Sequence, residues 1–388
     1  MKQTKALPVL FAVMFLVMVG FGIIIPVLPF YAEELGASPT QLGLLMATYS
    51  LMQFIFAPMW GRLSDRIGRK PVIMIGILGL SISFFMLAVS TQLWMLFAAR
   101  IVGGILSSAN MPTVMAYVAD ITSEEDRGKG MGIIGAATGL GFIFGPAIGG
   151  VFTNINIHTP FYISGVLSLL TLFFVFFVLK ESLEPSQSKD AKKEKAPWTT
   201  AIRGPLSMLY FLQLFVSLSL SGLEATFAYY AAKRAGLDSV TLGYIFMIMG
   251  LASAVVQGLM GKLTKRFGEA RIIQAGILIS ATGFGLILLI QDFTTAAIFL
   301  AIFGIGNGVI RPSVSSLLTK KSKAGYGMAT GYLSSFDSLG RIFGPVLGGL
   351  LYSIAVGLPY ISGILLSLFA FIIFRVYITR SRSELSSN

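Results

Sequence analysis

Stretches of about twenty mostly apolar residues recur along this chain between short polar interruptions, and each is long enough to cross a bilayer as a helix. In hydrocarbon every backbone N–H and C=O must be satisfied within the chain, so repeated spans of this kind leave an all-α membrane protein as the fold class. Twelve can be read. The first six run Leu7 to Phe30, Leu42 to Trp60, Val72 to Val89, Leu93 to Ala119, Met131 to Phe152 and Phe161 to Leu179. The second six run Pro205 to Ala231, Leu242 to Met260, Ile272 to Ile290, Ala296 to Leu318, Met328 to Leu351 and Tyr360 to Phe374. The first span follows Lys2 and Lys5 as a signal peptide would, yet it is too long for such a segment and lacks a small-residue cleavage site, so it is expected to be retained.

Charge placement orients the spans. With the N-terminus in the cytosol, 24 of the 29 Lys and Arg residues fall on the tails and the even-numbered connections. Lys233 and Arg234 fall outside, and Arg100, Arg311 and Arg341 lie within spans. That excess predicts a multi-pass membrane protein with both termini cytoplasmic, and it accounts for the net charge of +12 without nucleic acid as a partner. The Lys-, Ser- and Glu-rich segment after the sixth span reads as a linker, giving an N-terminal six-helix bundle at 1–180, a cytoplasmic linker at 181–202 and a C-terminal bundle at 203–388.

The two halves repeat one another at an offset close to 200. Gly61-Arg62-Leu63-Ser64-Asp65-Arg66-Ile67-Gly68 answers Gly261-Lys262-Leu263-Thr264-Lys265-Arg266-Phe267-Gly268, both expected as loops. Met111-Pro112-Thr113-Val114 answers Arg311-Pro312-Ser313-Val314, and Phe144-Gly145-Pro146-Ala147-Ile148-Gly149-Gly150 answers Phe343-Gly344-Pro345-Val346-Leu347-Gly348-Gly349. Two pseudo-symmetric six-helix halves in parallel orientation predict a binding site where they meet and alternation between inward-open and outward-open states, a geometry suited to a carrier.

These residues resemble the major facilitator superfamily over essentially the whole chain. Gly61, Asp65, Arg66, Gly68 and Arg69, with Lys70, are similar to its motif between helices two and three, and Arg100 with Gly103 and Gly104 is similar to its buried-arginine motif. Gly141, Gly145, Pro146, Gly149 and Gly150 resemble the helix-five motif of antiporters, repeated in Gly344 and Pro345. The nearest resemblance is to the twelve-span drug:proton antiporters of Gram-positive bacteria, which implies a proton-coupled multidrug efflux antiporter exporting hydrophobic, often cationic small molecules. In that branch a glutamate in helix seven and an aspartate in helix ten are implicated in transport. Glu224 matches the first; Gly308, beside Asn307, stands where the second is expected, while Arg311 still matches.

Several polar residues at membrane depth invite a role. Gln213, Ser217, Ser221 and Glu224 recur at helical spacing, so one face of the seventh span carries all four and is expected to line a watery cavity. An ionised carboxylate there costs several kcal/mol unless it is compensated, which leaves Glu224 either a proton and cation site or a helix-end acid paired with Lys233 or Arg234. Asp337 stands four residues before Arg341; it either neutralises that arginine or replaces the missing helix-ten acid in proton coupling. Arg100 and Arg311 could each hold a neighbouring acid ionised or simply tie helices together. Phe142 and Phe227 are candidates for an adaptable pocket accepting flat cations, though core packing is the better reading of each, with Gln53 and Asn307 adding polar lining. The glycines and prolines of the fifth and eleventh spans are expected to pack helices closely and to seal the seam between halves. Asp65 reads as a conformational latch, with a helix N-terminus or Arg127 as its partner.

Other functions fit less well. The chain has no cysteine, no nucleophile set beside a base, no phosphate-binding loop and no metal-ligand cluster, so an enzyme is not expected and neither a cofactor nor a metal is implied. Its one histidine, His158, falls in a short loop, leaving protonation to carboxylates. A monovalent cation/proton antiporter, with Na+ or K+ in place of drug, and a nutrient or sugar transporter of the same fold remain the alternatives. The expected partners are small-molecule drugs or cationic dyes, protons and the lipid bilayer, with the monomer as the working unit.

Overall fold

The computed structural model describes residues 6–123, 126–183, 206–321 and 326–386. Most of the expected linker lies outside the described residues. Among them are thirteen helices and no strand. The first seven are α1 (Ala6–Glu34), α2 (Pro39–Ile67), α3 (Arg69–Ala88), α4 (Leu93–Ser107), α5 (Asn110–Ile121), α6 (Arg127–Thr153) and α7 (Thr159–Val178). The rest are α8 (Ser207–Ala235), α9 (Ser239–Phe267), α10 (Glu269–Ile287), α11 (Phe293–Lys321), α12 (Tyr326–Ile354) and α13 (Leu358–Ser386). Eleven spans, with α4 and α5 counted as one, are long and apolar enough to cross a membrane. The helix α12 has the length but not the composition, because Asp337, Arg341 and a run of serines lie in it, and it completes the twelve.

Two local details differ from the sequence reading. The segments 61–67 and 261–267, expected as loops, are helical, the last turns of α2 and α9. Arg, Leu and Lys are good helix formers, so the helix outruns the apolar stretch and ends only at Gly68 and Gly268. Their φ values of 105° and 77° are ones that L side chains rarely adopt. The fourth span, expected as one helix, breaks between α4 and α5. Pro112 has no N–H to offer the carbonyl of Ser108, and the break falls at Ser108 and Ala109.

The helices cluster in two compact units. In the first, α1 packs on α6 and α7, and α3 packs on α4 and α7. In the second, α8 packs on α12 and α13, and α10 packs on α11 and α13. The pairings correspond one for one, as the duplicated sequence requires. The first unit also takes in 239–247 and the second takes in 38–47, the opening turns of α9 and α2.

Small residues make these pairings close. A Cβ at Gly145 would meet the Cα of Gly22 at 2.7 Å, and one at Gly149 would meet the carbonyl oxygen of Ile23 at 2.2 Å. In the second unit a Cβ at Gly344 would meet the Leu218 carbonyl oxygen at 2.5 Å and one at Gly348 that of Gly222 at 2.9 Å. Lipid is as apolar as the side chains, so burial drives little here and backbone approach of this kind supplies the association. Large apolar side chains such as Phe177, Leu170, Val255 and Leu365 remain exposed, as contact with acyl chains allows.

Candidate functional site

The second unit concentrates charge at membrane depth. Asp337, on α12, has a side chain only 10% exposed. Its Oδ1 accepts hydrogen bonds from the Gln213 side-chain amide at 2.9 Å and from the Ser217 hydroxyl, both on α8. Its Oδ2 accepts from Arg341 Nε at 3.2 Å and faces Arg311 at 3.6 Å, on α11. One carboxylate therefore joins three helices, and two guanidiniums with two neutral donors offset the desolvation of a buried ion. Gln213 and Ser217, expected on a cavity wall, are buried and committed to Asp337.

Glu224 stands apart. It is half-buried on α8 and makes no hydrogen bond or ion pair among the described residues. The charges that act on it are those of Arg341 and Asp337, not Lys233 or Arg234. The helix-end pairing open from sequence is therefore absent. An unpaired acid at this depth must face water or other polar groups rather than lipid.

The remaining sequence candidates are placed as follows. Phe227 is 0% exposed and belongs to the core of its unit rather than to an accessible wall. Asn307 lines a small internal cavity with Ser219, Ser280 and Ser367. The Ser219 and Ser280 hydroxyls there are buried and have no partner among the described residues. In the first unit Arg100 lies beside no carboxylate among the described residues; its guanidinium stacks 4.2 Å from the centre of the Tyr49 ring. Tyr49 shares a hydrogen bond of 2.7 Å with Ser107, and Gln53 donates to its hydroxyl at 3.2 Å. Phe142 meets Phe21 edge to face at 5.7 Å. The glycines of the fifth span are used inside the first unit: Gly141, Gly145 and Gly149 against α1, and Gly150 against Val240.

The motif where α2 meets α3 is held by acids that sequence reasoning did not single out. Arg69 is buried and donates Nε to Asp120 at 3.0 Å, and its terminal nitrogen reaches Ser64 at 2.7 Å and Asp65 at 2.5 Å. Asp65 thus pairs with Arg69, not Arg127. The Glu181 carboxylate accepts the backbone N–H groups of Arg69 at 2.8 Å and Lys70 at 3.1 Å, capping the positive end of α3. Arg66 is exposed and Gly61 accepts the Ser64 hydroxyl at 2.8 Å. Arg69→Gln should cost about 2 kcal/mol by stranding charged acceptors, read as a lower thermal midpoint in detergent. An unchanged midpoint would mean that the cluster adds nothing to the fold.

A duplicated helical bundle with lipid-compatible faces and charge buried at membrane depth defines a multi-pass membrane protein. The model of the Major Facilitator Superfamily matches residues 10–325 and also 209–388, and the chain belongs to that family. It is 31% identical to Multidrug resistance protein 1 of Bacillus subtilis (strain 168), over 92% of each chain. It is 30% identical to Quinolone resistance protein NorA of Staphylococcus aureus (strain COL), over 94% of this chain and 95% of the relative. The crystal structure of the nucleoside transporter NupG superposes with a TM-score of 0.76 at 14% identity, covering 96% of this chain and 98% of that one, a likeness of fold.

Proposed function

We propose that this chain is a proton-coupled multidrug efflux antiporter, exporting hydrophobic, often cationic small molecules by alternating access. The observation that carries the reading is Glu224, a carboxylate at membrane depth without a partner of its own, within electrostatic reach of Arg341 and Asp337. Such a group can hold a proton or attract a cation, and the two occupancies compete, which is what exchange requires. The curated relatives named for multidrug and quinolone resistance, at about this level of identity along the whole chain, support drug as the exported substrate. Asp337 serves as the anchor that keeps two arginines in place, standing in for the acid absent at Gly308.

The charge excess on the even-numbered connections supports both termini in the cytoplasm, and the bacterial relatives support a bacterial plasma-membrane setting. Bundles at 1–180 and 203–388 joined by a linker at 181–202 and acting as a monomer complete the proposal.

Proteoliposomes with an imposed pH gradient and a fluorescent cationic dye test it. Wild type should move dye against its gradient, and Glu224→Gln should slow this by about tenfold or more, the effect of about 1.4 kcal/mol on a barrier. Full gradient-driven transport by Glu224→Gln would remove Glu224 from the mechanism. Proton release driven by Na+ or K+ without dye movement would replace the drug reading with cation/proton antiport.

A further inference from the structure

We propose that Tyr230 is a positioning residue for Glu224, holding the C-terminal end of α8 so that the carboxylate keeps one place relative to Arg341 and Asp337. This rests on the reading that Glu224 receives the transported cation or the proton.

Glu224 makes no hydrogen bond or ion pair among the described residues, so its side chain does nothing to fix itself. Its place is set by the backbone of α8. Two residues before it, Gly222 lies against α12, where a Cβ would meet the carbonyl oxygen of Gly344 at 3.2 Å. Two residues after it, the Thr226 hydroxyl donates to the Gly222 carbonyl at 2.9 Å and lies 3.4 Å from the Tyr360 hydroxyl, in the first turn of α13. Thr226 and Tyr360 are both 0% exposed.

One turn further along α8, the Tyr230 ring packs on that of Tyr360 with centroids 4.6 Å apart. Its hydroxyl donates at 3.1 Å to the carbonyl of Leu288, the residue that caps α10. Carbonyls at a helix C-terminus have no intrahelical donor, so the phenol fills a vacancy there. One tyrosine thus ties α8, α10 and α13 together, about 9 Å along the helix axis from the acid. In lipid, helices gain little from apolar contact, and ties of this kind fix their relative places.

The same corner is built in the first unit, at the offset close to 200 that relates the halves. Tyr31, near the end of α1, reaches the Leu87 and Ser90 carbonyls at the end of α3, and its ring lies 5.3 Å from that of Phe161 in the first turn of α7. The two corners match part for part, but α1 carries no acid inside its span and α8 carries Glu224. A purely structural role predicts equal consequences at the two tyrosines. Positioning of the acid predicts unequal ones.

Tyr230→Phe keeps the ring and removes only the tie to α10. The readout is equilibrium binding of rhodamine 6G, a delocalised cation, to the purified chain in detergent, followed by fluorescence anisotropy with no gradient imposed. Glu224→Gln should weaken binding about tenfold. Tyr230→Phe should weaken it about threefold, the weight of one average interhelical hydrogen bond. Added to Glu224→Gln, Tyr230→Phe should change binding less than about twofold, because a residue that works through the acid has nothing to act on without it. Tyr31→Phe should stay within about twofold of wild type. Tyr360→Phe, which removes the hydroxyl beside Thr226, should repeat the pattern of Tyr230→Phe and decides the matter if that variant does not fold. Wild-type binding by Tyr230→Phe, its full loss repeated on top of Glu224→Gln, or an equal loss in Tyr31→Phe would overturn the positioning role while leaving the antiport proposal standing. Wild-type binding by Glu224→Gln would instead sink the acid on which that proposal stands, and the tie with it.

Discussion

Asp337→Asn should leave a folded protein that no longer exports dye at a useful rate, a loss of about tenfold or more in proteoliposomes. The amide keeps the shape and can still accept from Gln213 and Ser217, so α8 and α12 stay joined. What it cannot do is balance Arg311 and Arg341, which would then stand as two positive charges beside a single acid, Glu224. Glu224 would be drawn into a permanent ion pair and would cease to exchange protons. Asp337→Ala goes further, removing both acceptors, and should cost about 3–5 kcal/mol, the usual penalty for breaking a buried ion pair. Transport by Asp337→Asn at the wild-type rate would show that the arginines need no counter-ion and that Glu224 acts alone.

The second large effect is expected at Gly149. A Cβ there would fall 2.2 Å from the carbonyl oxygen of Ile23, inside any allowed contact, and the obstacle is backbone that cannot rotate away. Gly149→Val therefore forces α6 off α1 along the seam that Gly22, Gly145 and Gly149 create. Overpacking costs about 1–3 kcal/mol in soluble cores and more where backbone must move. The readout is the yield of monodisperse protein on size exclusion, expected to drop several-fold. Gly139→Ala, with open space around its Cβ, is the matched control and should behave as wild type. A normal Gly149→Val profile would mean that α1 and α6 have room to separate.

Hydropathy makes the spans legible because lipid dictates which stretches must be helical, but it says nothing about where a helix ends in water. That is why the helical turns at 61–67 and 261–267 read as loops, and why the break ahead of Pro112 was invisible to an apolar count. Spacing along one helix was also informative: Gln213, Ser217 and Glu224 do share a side of α8, and Asp337 does meet Arg341 four residues on. Periodicity cannot tell which neighbouring helix covers that side. Gln213 and Ser217 are consequently buried against Asp337, although both read as cavity lining, and Phe227 is core, as packing alone would have it. Partners remote in sequence carried no signal at all. Asp120 and Glu181 reach Arg69 from 51 and 112 residues away, and Tyr49 occupies the place beside Arg100 where an acid was sought.

The two units have kept one helix plan while dividing the acids unequally. Every described carboxylate of the first unit, Glu33, Glu34, Asp65, Asp120, Asp126 and Glu181, stands at or near a helix end. Only the second unit places acids well inside a span, Glu224 and Asp337. Under the proposed antiport, that sets a ceiling on stoichiometry: one proton per cycle through Glu224 while Asp337 stays bound, and two only if it is released. One proton entering down one pH unit and 100 mV delivers about 3.7 kcal/mol, enough to concentrate a neutral substrate roughly 500-fold. A steeper steady-state gradient would require the anchor itself to let go of its arginines once in every turnover.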